Sequence, residues 1–164
     1  MFSLYYINVT IHVLAALVWL GGMFFLALVG APVLRAVENP ELRQRLFDQL
    51  GRRFRAVGWI ALLVLIVTGV FNLYFRGALS LTVWADPLFQ RSAWGMALKI
   101  KLTALVVMLL VEGYHDWILG PRAARVVAGS PEAMALRARA SRYARISAIC
   151  GVVIVLTAIR LARG

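Results

Sequence analysis

His12 and His115 supply the only imidazole side chains of this sequence, and both lie in strongly apolar segments. Imidazole nitrogen is a ligand for haem iron and for copper, so each histidine is a candidate metal ligand. Lys101 and Glu112 also lie in an apolar segment. An ionisable group inside a membrane span costs roughly 2.5 to 3.5 kcal/mol on insertion scales, so each of these side chains needs a partner or a function.

The elements that must position these residues are predicted to be transmembrane helices. Of the 164 residues, 62% are hydrophobic and 15% are charged, a composition typical of integral membrane proteins and not of soluble domains. Four apolar segments are long enough to cross a hydrocarbon core of about 30 Å, at about 7–31, 56–75, 94–119 and 146–162. The expected fold is all-α, an integral membrane four-helix bundle that forms a single transmembrane domain over residues 1–164.

The basic residues predict the orientation of this bundle. The chain has 18 basic and 7 acidic residues, and twelve of the basic ones lie in the two connections 33–55 and 120–145. The positive-inside rule therefore places these connections in the cytoplasm and both termini outside. Their helical spacing predicts surface helices that lie against anionic headgroups, and does not favour nucleic-acid binding. Trp59 and Trp117 are among the aromatic residues expected at the membrane interfaces.

Counting along the helices at 1.5 Å per residue brings several polar residues to one depth near the outer surface. All four helices contribute to this predicted layer, which contains His12, Thr68, Asn72, Arg76, Lys101 and Arg160. His115 lies near the other end of the third helix, so the two imidazoles cannot both ligate one haem. One site near the outer leaflet is therefore predicted, with His12 as its imidazole. The alternative is that His12 is a hydrogen-bonded packing residue.

A polar stripe runs down the third helix. Lys101, Met108, Glu112 and His115 lie within about 40° of one line when successive residues rotate by 100°. The stripe is a candidate proton path, with Glu112 and His115 as its inner relay. Alternatively, Glu112 pairs with His115 or Arg145 at the membrane interface. A di-iron site is excluded, because the other spans supply no further Glu ligands.

Short motifs in three helices resemble a known superfamily. The first helix contains His-x6-Trp-x-Gly-Gly-x-Phe-Phe, beginning at His12. The third helix begins Trp-Gly-Met-Ala-Leu-Lys-Ile-Lys, ending at Lys101, and closes with Gly-Tyr-His at His115. The second contains Arg-Phe-Arg and, further on, Leu-Ile-Val-Thr-Gly, ending at Gly69. These segments resemble the CopD copper-resistance membrane proteins and the HemJ-type protoporphyrinogen IX oxidases.

The resemblance implies a four-helix protein of a prokaryotic plasma membrane that binds haem b, with His12 and Lys101 as paired metal positions. Seven residues are predicted to form the cofactor site: His12, Trp19, Gly22, Asn72, Arg76, Lys101 and Arg160. In this prediction Trp19 and Gly22 wall the pocket, while Arg76 and Arg160 hold the haem propionates. The expected function is electron transfer, or a haem-dependent oxidoreductase activity on a small hydrophobic substrate such as a porphyrinogen or a quinol.

Two other classes of function stay open. In the first, the protein is a CopD-like copper-binding or copper-transport protein, with His12 and either Met96 or Met108 as a transient site. In the second, the polar layer only packs the helices of a small membrane subunit. The expected partners are the lipid bilayer, haem and an unknown redox partner or quinone, with a possible homodimer and no nucleic acid.

Overall fold

A computed structural model describes residues 2–163 of the chain, which form helices and no strands. Eight α-helices and two π-helical turns follow one another along the sequence. They are α1 (Phe2–Phe25), a π turn (Leu26–Gly30), α2 (Ala31–Arg35), α3 (Pro40–Phe75), α4 (Leu81–Ala85), α5 (Pro87–Arg91), α6 (Ala93–Tyr114), a second π turn (His115–Leu119), α7 (Gly120–Arg125) and α8 (Pro131–Arg163).

These helices form four long rods that are apolar enough to cross a membrane. The rods comprise Ser3–Arg35, Pro40–Phe75, Ala93–Arg125 and Pro131–Arg163. At 1.5 Å per residue each is about 50 Å long, so its ends project beyond a hydrocarbon core of about 30 Å. The prediction of an all-α, four-helix integral membrane bundle is confirmed. The protein is therefore a multi-pass membrane protein.

The outer face of each rod carries large apolar side chains that no part of the described chain covers. Leu17, Ile60, Leu110 and Ile149, one from each rod, are all more than 60% exposed. In water such a surface would be unstable, but in a bilayer it meets lipid chains. The interior of the bundle is correspondingly small.

The core lies where α1 and α3 meet α6 and α8. Trp19, Met23, Ala61, Leu62 and Met108 form one buried cluster. Lipid tails are as apolar as the core, so association of membrane helices depends on close packing. A glycine on α8 permits this packing: a Cβ at Gly151 would lie 2.8 Å from Leu20 Cδ1 and 3.2 Å from Trp19 Cζ3.

The basic connections were expected to be separate surface helices, and this expectation is wrong. Residues 40–55 form the first half of α3, and residues 131–145 form the first half of α8. Asn39 starts α3, because its side chain accepts hydrogen bonds from the Glu41 and Leu42 amides. Neither helix is interrupted afterwards by adjacent glycines or by a further proline, so both continue directly into the membrane-spanning segment.

The first and third predicted spans, at about 7–31 and 94–119, end beside Pro32 and Pro121, but the helices continue past both prolines. The first rod continues through Pro32 to Arg35, and the third continues through Pro121 to Arg125. Each proline directly follows a π turn. A proline ring clashes with the carbonyl four residues earlier, and here that carbonyl lies in the wider π turn. The helix therefore continues with a local change of register.

Candidate metal centre

The predicted polar layer has His12 at its centre. His12 Nδ1 lies 2.7 Å from Thr68 Oγ1, and the Thr68 hydroxyl is also 2.6 Å from the Val64 carbonyl oxygen. Because Thr68 donates its only hydrogen to that carbonyl, its oxygen accepts from His12. Nδ1 of His12 therefore carries the proton, and Nε2 keeps a lone pair that is available to a ligand.

Two asparagines complete this layer between α1 and α3. Asn8 donates from Nδ2 to the Thr68 carbonyl at 3.0 Å and to Asn72 Oδ1 at 2.9 Å. Gly69 lies against the imidazole, since a Cβ there would be 3.6 Å from His12 Cε1. Asn72 is thus in the predicted layer, while Asn8 was missed. Its position four residues before His12, on the same helical face, is the signal that identifies it.

The cations of the layer are divided between two environments. Lys101 is half-buried on α6 and lies within electrostatic range of His12 and Arg76. Arg76 itself is exposed, donates to the Leu161 carbonyl at 3.0 Å and lies 5.9 Å from the Trp94 ring centroid. A cation at a helix C-terminus is stabilised by the carbonyls there, so Arg76 caps α8.

Three residues of the predicted cofactor site, Trp19, Gly22 and Arg160, are not among the contacts described for the His12 layer. Trp19 is 5% exposed in the core, and a Cβ at Gly22 would collide with Phe54 at 2.5 Å. Both residues therefore serve the packing of α1 on α3, and they lie further along α1 than His12. Arg160 is exposed in the last turns of α8.

The two methionines proposed as copper ligands, Met96 and Met108, lie in different environments. Met108 is 1% exposed in the core cluster together with Met23, whereas Met96 is 50% exposed. Met96 lies beside Lys99 and Gln90, and Lys99 Nζ donates to the Gln90 carbonyl at 2.9 Å. Only Met108, of the two methionines proposed to act with His12, is therefore inside the bundle.

A second polar cluster lies at the end of α6 that faces the basic connections. One ligating atom from each of Glu112, His115 and Asp116 can be chosen so that all three lie within 4.8 Å of one another. These three residues come from one helix, at the start of its π turn. Nitrogen and carboxylate oxygen atoms at this separation can surround a single metal ion.

Asp116 holds this cluster in place. Its carboxylate is buried and accepts hydrogen bonds from Trp59 Nε1 and His115 Nδ1, each at 2.9 Å, while Arg55 Nε lies 3.8 Å away. Trp59 also stacks on Trp117, with ring centroids 4.8 Å apart. A carboxylate that accepts from one nitrogen of a histidine orients the ring and leaves the other nitrogen for a metal. Nε2 of His115 is therefore available.

Glu112 is less constrained than Asp116. The nearby Ser147 hydroxyl is buried, but it does not reach hydrogen-bonding geometry with any described residue. Unlike that of Asp116, the Glu112 carboxyl forms no ion pair with any described residue, so its lone pairs can accept a ligand. Sequence reasoning identified Glu112 and His115 as a pair but missed Asp116, Arg55 and Trp59, although Arg55 and Trp59 are spaced by one helical turn on α3.

A cavity of about 1030 Å³ opens onto this cluster. Its walls include apolar side chains from α1 and α3, among them Trp19, Met23 and Phe54. Seven arginines also line it: Arg35, Arg43, Arg52, Arg55, Arg125, Arg137 and Arg145. The cavity is therefore strongly basic, with Glu112, Asp116 and Asp48 as the acidic residues of its wall.

Comparison with known families identifies the chain. A family model described as copper resistance protein D matches residues 48–161. The chain belongs to the CopD family. The matched segment contains Lys101 and the whole cluster of Glu112, His115 and Asp116, whereas His12 lies before it. The resemblance that the helix motifs indicated is thus confirmed at the level of the family.

A relative of this CopD-family chain is known from Aquifex aeolicus (strain VF5). It is described as an uncharacterized protein and is 43% identical over 114 residues, which are 69% of this chain and 68% of the relative. No solved structure matches the chain. The comparisons therefore establish the family.

Proposed function

We propose that this CopD-family protein binds copper inside its bundle and passes the ion through the membrane. The observation that carries the proposal is the cluster of Glu112, His115 and Asp116, in which a buried carboxylate orients an imidazole beside a second carboxyl group. The description of the matched family as copper resistance supports copper as the ion. If the basic ends face the cytoplasm, as the positive-inside rule predicts, the cluster lies on the cytoplasmic side.

The roles within the cluster follow from its hydrogen bonds. Asp116 already accepts from Trp59 and His115, so we assign it to orienting the imidazole. His115 Nε2 and the Glu112 carboxylate are then the direct ligands. Imidazole nitrogen and carboxylate oxygen suit Cu(II), and water or other ligands that the copper ion brings with it can complete its coordination.

The core above this cluster offers ligands of another type. Met108 lies seven residues before His115 on α6, about 10 Å along the helix axis, and packs in one cluster with Met23. Thioether sulfur is a soft ligand that suits Cu(I). Beyond it, His12 presents a free Nε2. We therefore assign the line from His115 through Met108 to His12 to copper that enters already as Cu(I), so that its oxidation state does not change along the path. Cu(II) binds at the cluster and does not enter this line.

The test is copper binding by the full chain purified in detergent. Stripped protein is titrated with Cu(II), and with Cu(I) against a competing chelator, and bound copper is counted by mass spectrometry. The variants His115→Ala and Glu112→Gln should weaken Cu(II) binding by at least about 100-fold, more than the loss of an outer-shell partner would. Glu132→Gln, in the exposed first turn of α8, is the matched control.

The outcome also tests the proposed path. Met108→Leu preserves volume and should lower the affinity for Cu(I) while leaving Cu(II) binding unchanged. Wild-type copper binding in both His115→Ala and Glu112→Gln would refute the site. Weakened Cu(II) binding in His115→Ala and Glu112→Gln, together with unchanged copper flux through Met108→Leu in proteoliposomes, would refute the path alone.

Haem b at His12 is a second candidate, because Thr68 leaves Nε2 free and Lys101 supplies a nearby cation. The cavity of about 1030 Å³, however, is lined by His115 and not by His12. Absorption spectra of the oxidised and reduced protein, with a haem assay, separate these possibilities. A haem band that is lost in His12→Ala and retained in His115→Ala would support the haem site. Glu112 and His115 would then be candidates for a proton relay.

A further inference from the structure

The basic cavity has features that a copper site alone does not require. We propose that it binds one anionic phospholipid, with the phosphate among the arginines of its rim and the acyl chains along its apolar wall. The charge, the apolar surface and the shape of the rods at this level each point to such a ligand. The proposal is independent of the metal that the protein binds.

The first argument is uncompensated positive charge. Among residues 2–163, only Arg55 of the seven lining arginines forms an ion pair, with Asp116 at 3.8 Å. Arg137 donates to Gln44 Oε1 at 3.2 Å and lies 5.9 Å from the Phe47 ring centroid, which leaves its charge intact. Asp48 is a carboxylate within electrostatic range of Arg52 and Arg137. The lining therefore carries more positive than negative charge, and it attracts an anion.

The second argument is the apolar wall. Leu26, Phe47, Leu50 and Phe54 line the same cavity as the arginines. Beside this wall, Leu28 on the outer face of the first rod is 73% exposed, where lipid chains lie. Inorganic phosphate has no apolar part that could contact this wall, whereas a phospholipid has both an anionic headgroup and apolar chains. Basic pockets at the ends of transmembrane helices recognise anionic headgroups for this reason.

The third argument is the geometry of the rods. Both π turns border the cavity, through Leu26 on the first rod and His115 on the third. A π turn inserts an extra residue and widens a helix locally, and such turns occur frequently at functional sites. Gly120, directly after the second π turn, keeps room for a rim arginine, since a Cβ there would lie 2.7 Å from Arg55 Nη2. The backbone is thus shaped to keep the cavity open.

Neighbouring arginines provide a matched test. Arg52 and Arg145 line the cavity, whereas Arg53 and Arg142, on the same two helices, do not. All four are exposed. The double variants Arg52→Gln/Arg145→Gln and Arg53→Gln/Arg142→Gln therefore remove the same charge from the same end of the protein, and only the first alters the cavity.

Delipidated full-length protein is titrated with phosphatidylglycerol or phosphatidylcholine in neutral detergent, and bound lipid is counted by native mass spectrometry. One phosphatidylglycerol should bind to the wild type and to the Arg53/Arg142 variant. The Arg52/Arg145 variant should bind it about 10- to 30-fold more weakly, since each basic residue near an anionic headgroup contributes about fivefold. Circular dichroism checks that both variants keep the helical content of the wild type.

Three results would overturn the proposal. Equal loss in both double variants would show that diffuse charge, and not the cavity, attracts the lipid. Equal binding of phosphatidylcholine would show that the arginines do not select the headgroup. Displacement of the lipid by millimolar inorganic phosphate would assign the arginines to a free anion and not to a phospholipid.

Discussion

Replacement of Asp116 by alanine tests the structure of the metal centre most directly. The substitution removes the acceptor for Trp59 Nε1 and for His115 Nδ1, both at 2.9 Å. A buried donor without an acceptor costs about 1 to 3 kcal/mol, and for Trp59, which is half-buried, this range is an upper bound. The Arg55 ion pair adds less than about 1 kcal/mol, because its partners are 3.8 Å apart and the Arg55 side chain is 30% exposed.

The expected loss is therefore about 1 to 3 kcal/mol in the free energy of unfolding. For a chain of this length each kcal/mol lowers the unfolding temperature by about 2 to 4 °C, so the unfolding temperature of Asp116→Ala should be roughly 2 to 12 °C lower. Asp116→Asn keeps an oxygen acceptor for Trp59 and should lose about 1 kcal/mol. Thermal unfolding in detergent is followed by circular dichroism, with Glu38→Ala on the exposed connection as control.

The same variants test the role of Asp116 toward His115. If its carboxylate orients the imidazole, Asp116→Ala should weaken copper binding by about 10- to 100-fold even where the protein remains folded. The reasoning is refuted if Asp116→Ala has the same unfolding temperature and the same copper affinity as the Glu38→Ala control. The first result would contradict the stabilising hydrogen bonds, and the second would contradict the positioning role.

Two further predictions concern helix contacts. Gly151→Val should lower the unfolding temperature by several degrees, because its Cβ would lie 2.8 Å from Leu20 Cδ1. Gly21→Ala is the control in the same thermal assay and should be tolerated, because no atom lies within 4 Å of the added Cβ. Thr68→Val should remove the hydrogen-bond acceptor of His12 and abolish its single tautomer, which ¹⁵N chemical shifts of the ring report; Thr68→Ser should keep the wild-type shifts.

The transmembrane helices could be predicted well from the sequence, and their ends could not. A span must be apolar for about 20 residues and must satisfy its own backbone hydrogen bonds, so four such segments are enough to identify four helices. Pro32 and Pro121 predicted ends that the chain does not have, because a π turn precedes each proline. The register of a π turn depends on packing around it, and a local sequence pattern does not report it.

The two polar clusters show the same division at the level of single residues. Depth along a helix follows from counting, so His12 and Asn72 could be placed in one layer before the structure was known. The burial of Asp116 could not be inferred, because a carboxylate near the end of a helix is normally solvated. Its burial depends on tertiary contacts, among them the hydrogen bond donated by Trp59, which is 57 positions away in sequence.

The sequence by itself determined the membrane class, the number of spans, the layer around His12 and the family resemblance, since these depend on composition, periodicity and short motifs along single helices. Only the tertiary structure decided that the basic segments join α3 and α8 and that Trp19 belongs to the core. It also decided that seven arginines line a cavity that opens onto Glu112 and His115. A cavity is bounded by residues from different helices. Its existence therefore depends on how the helices rotate and pack, which no single segment of sequence contains.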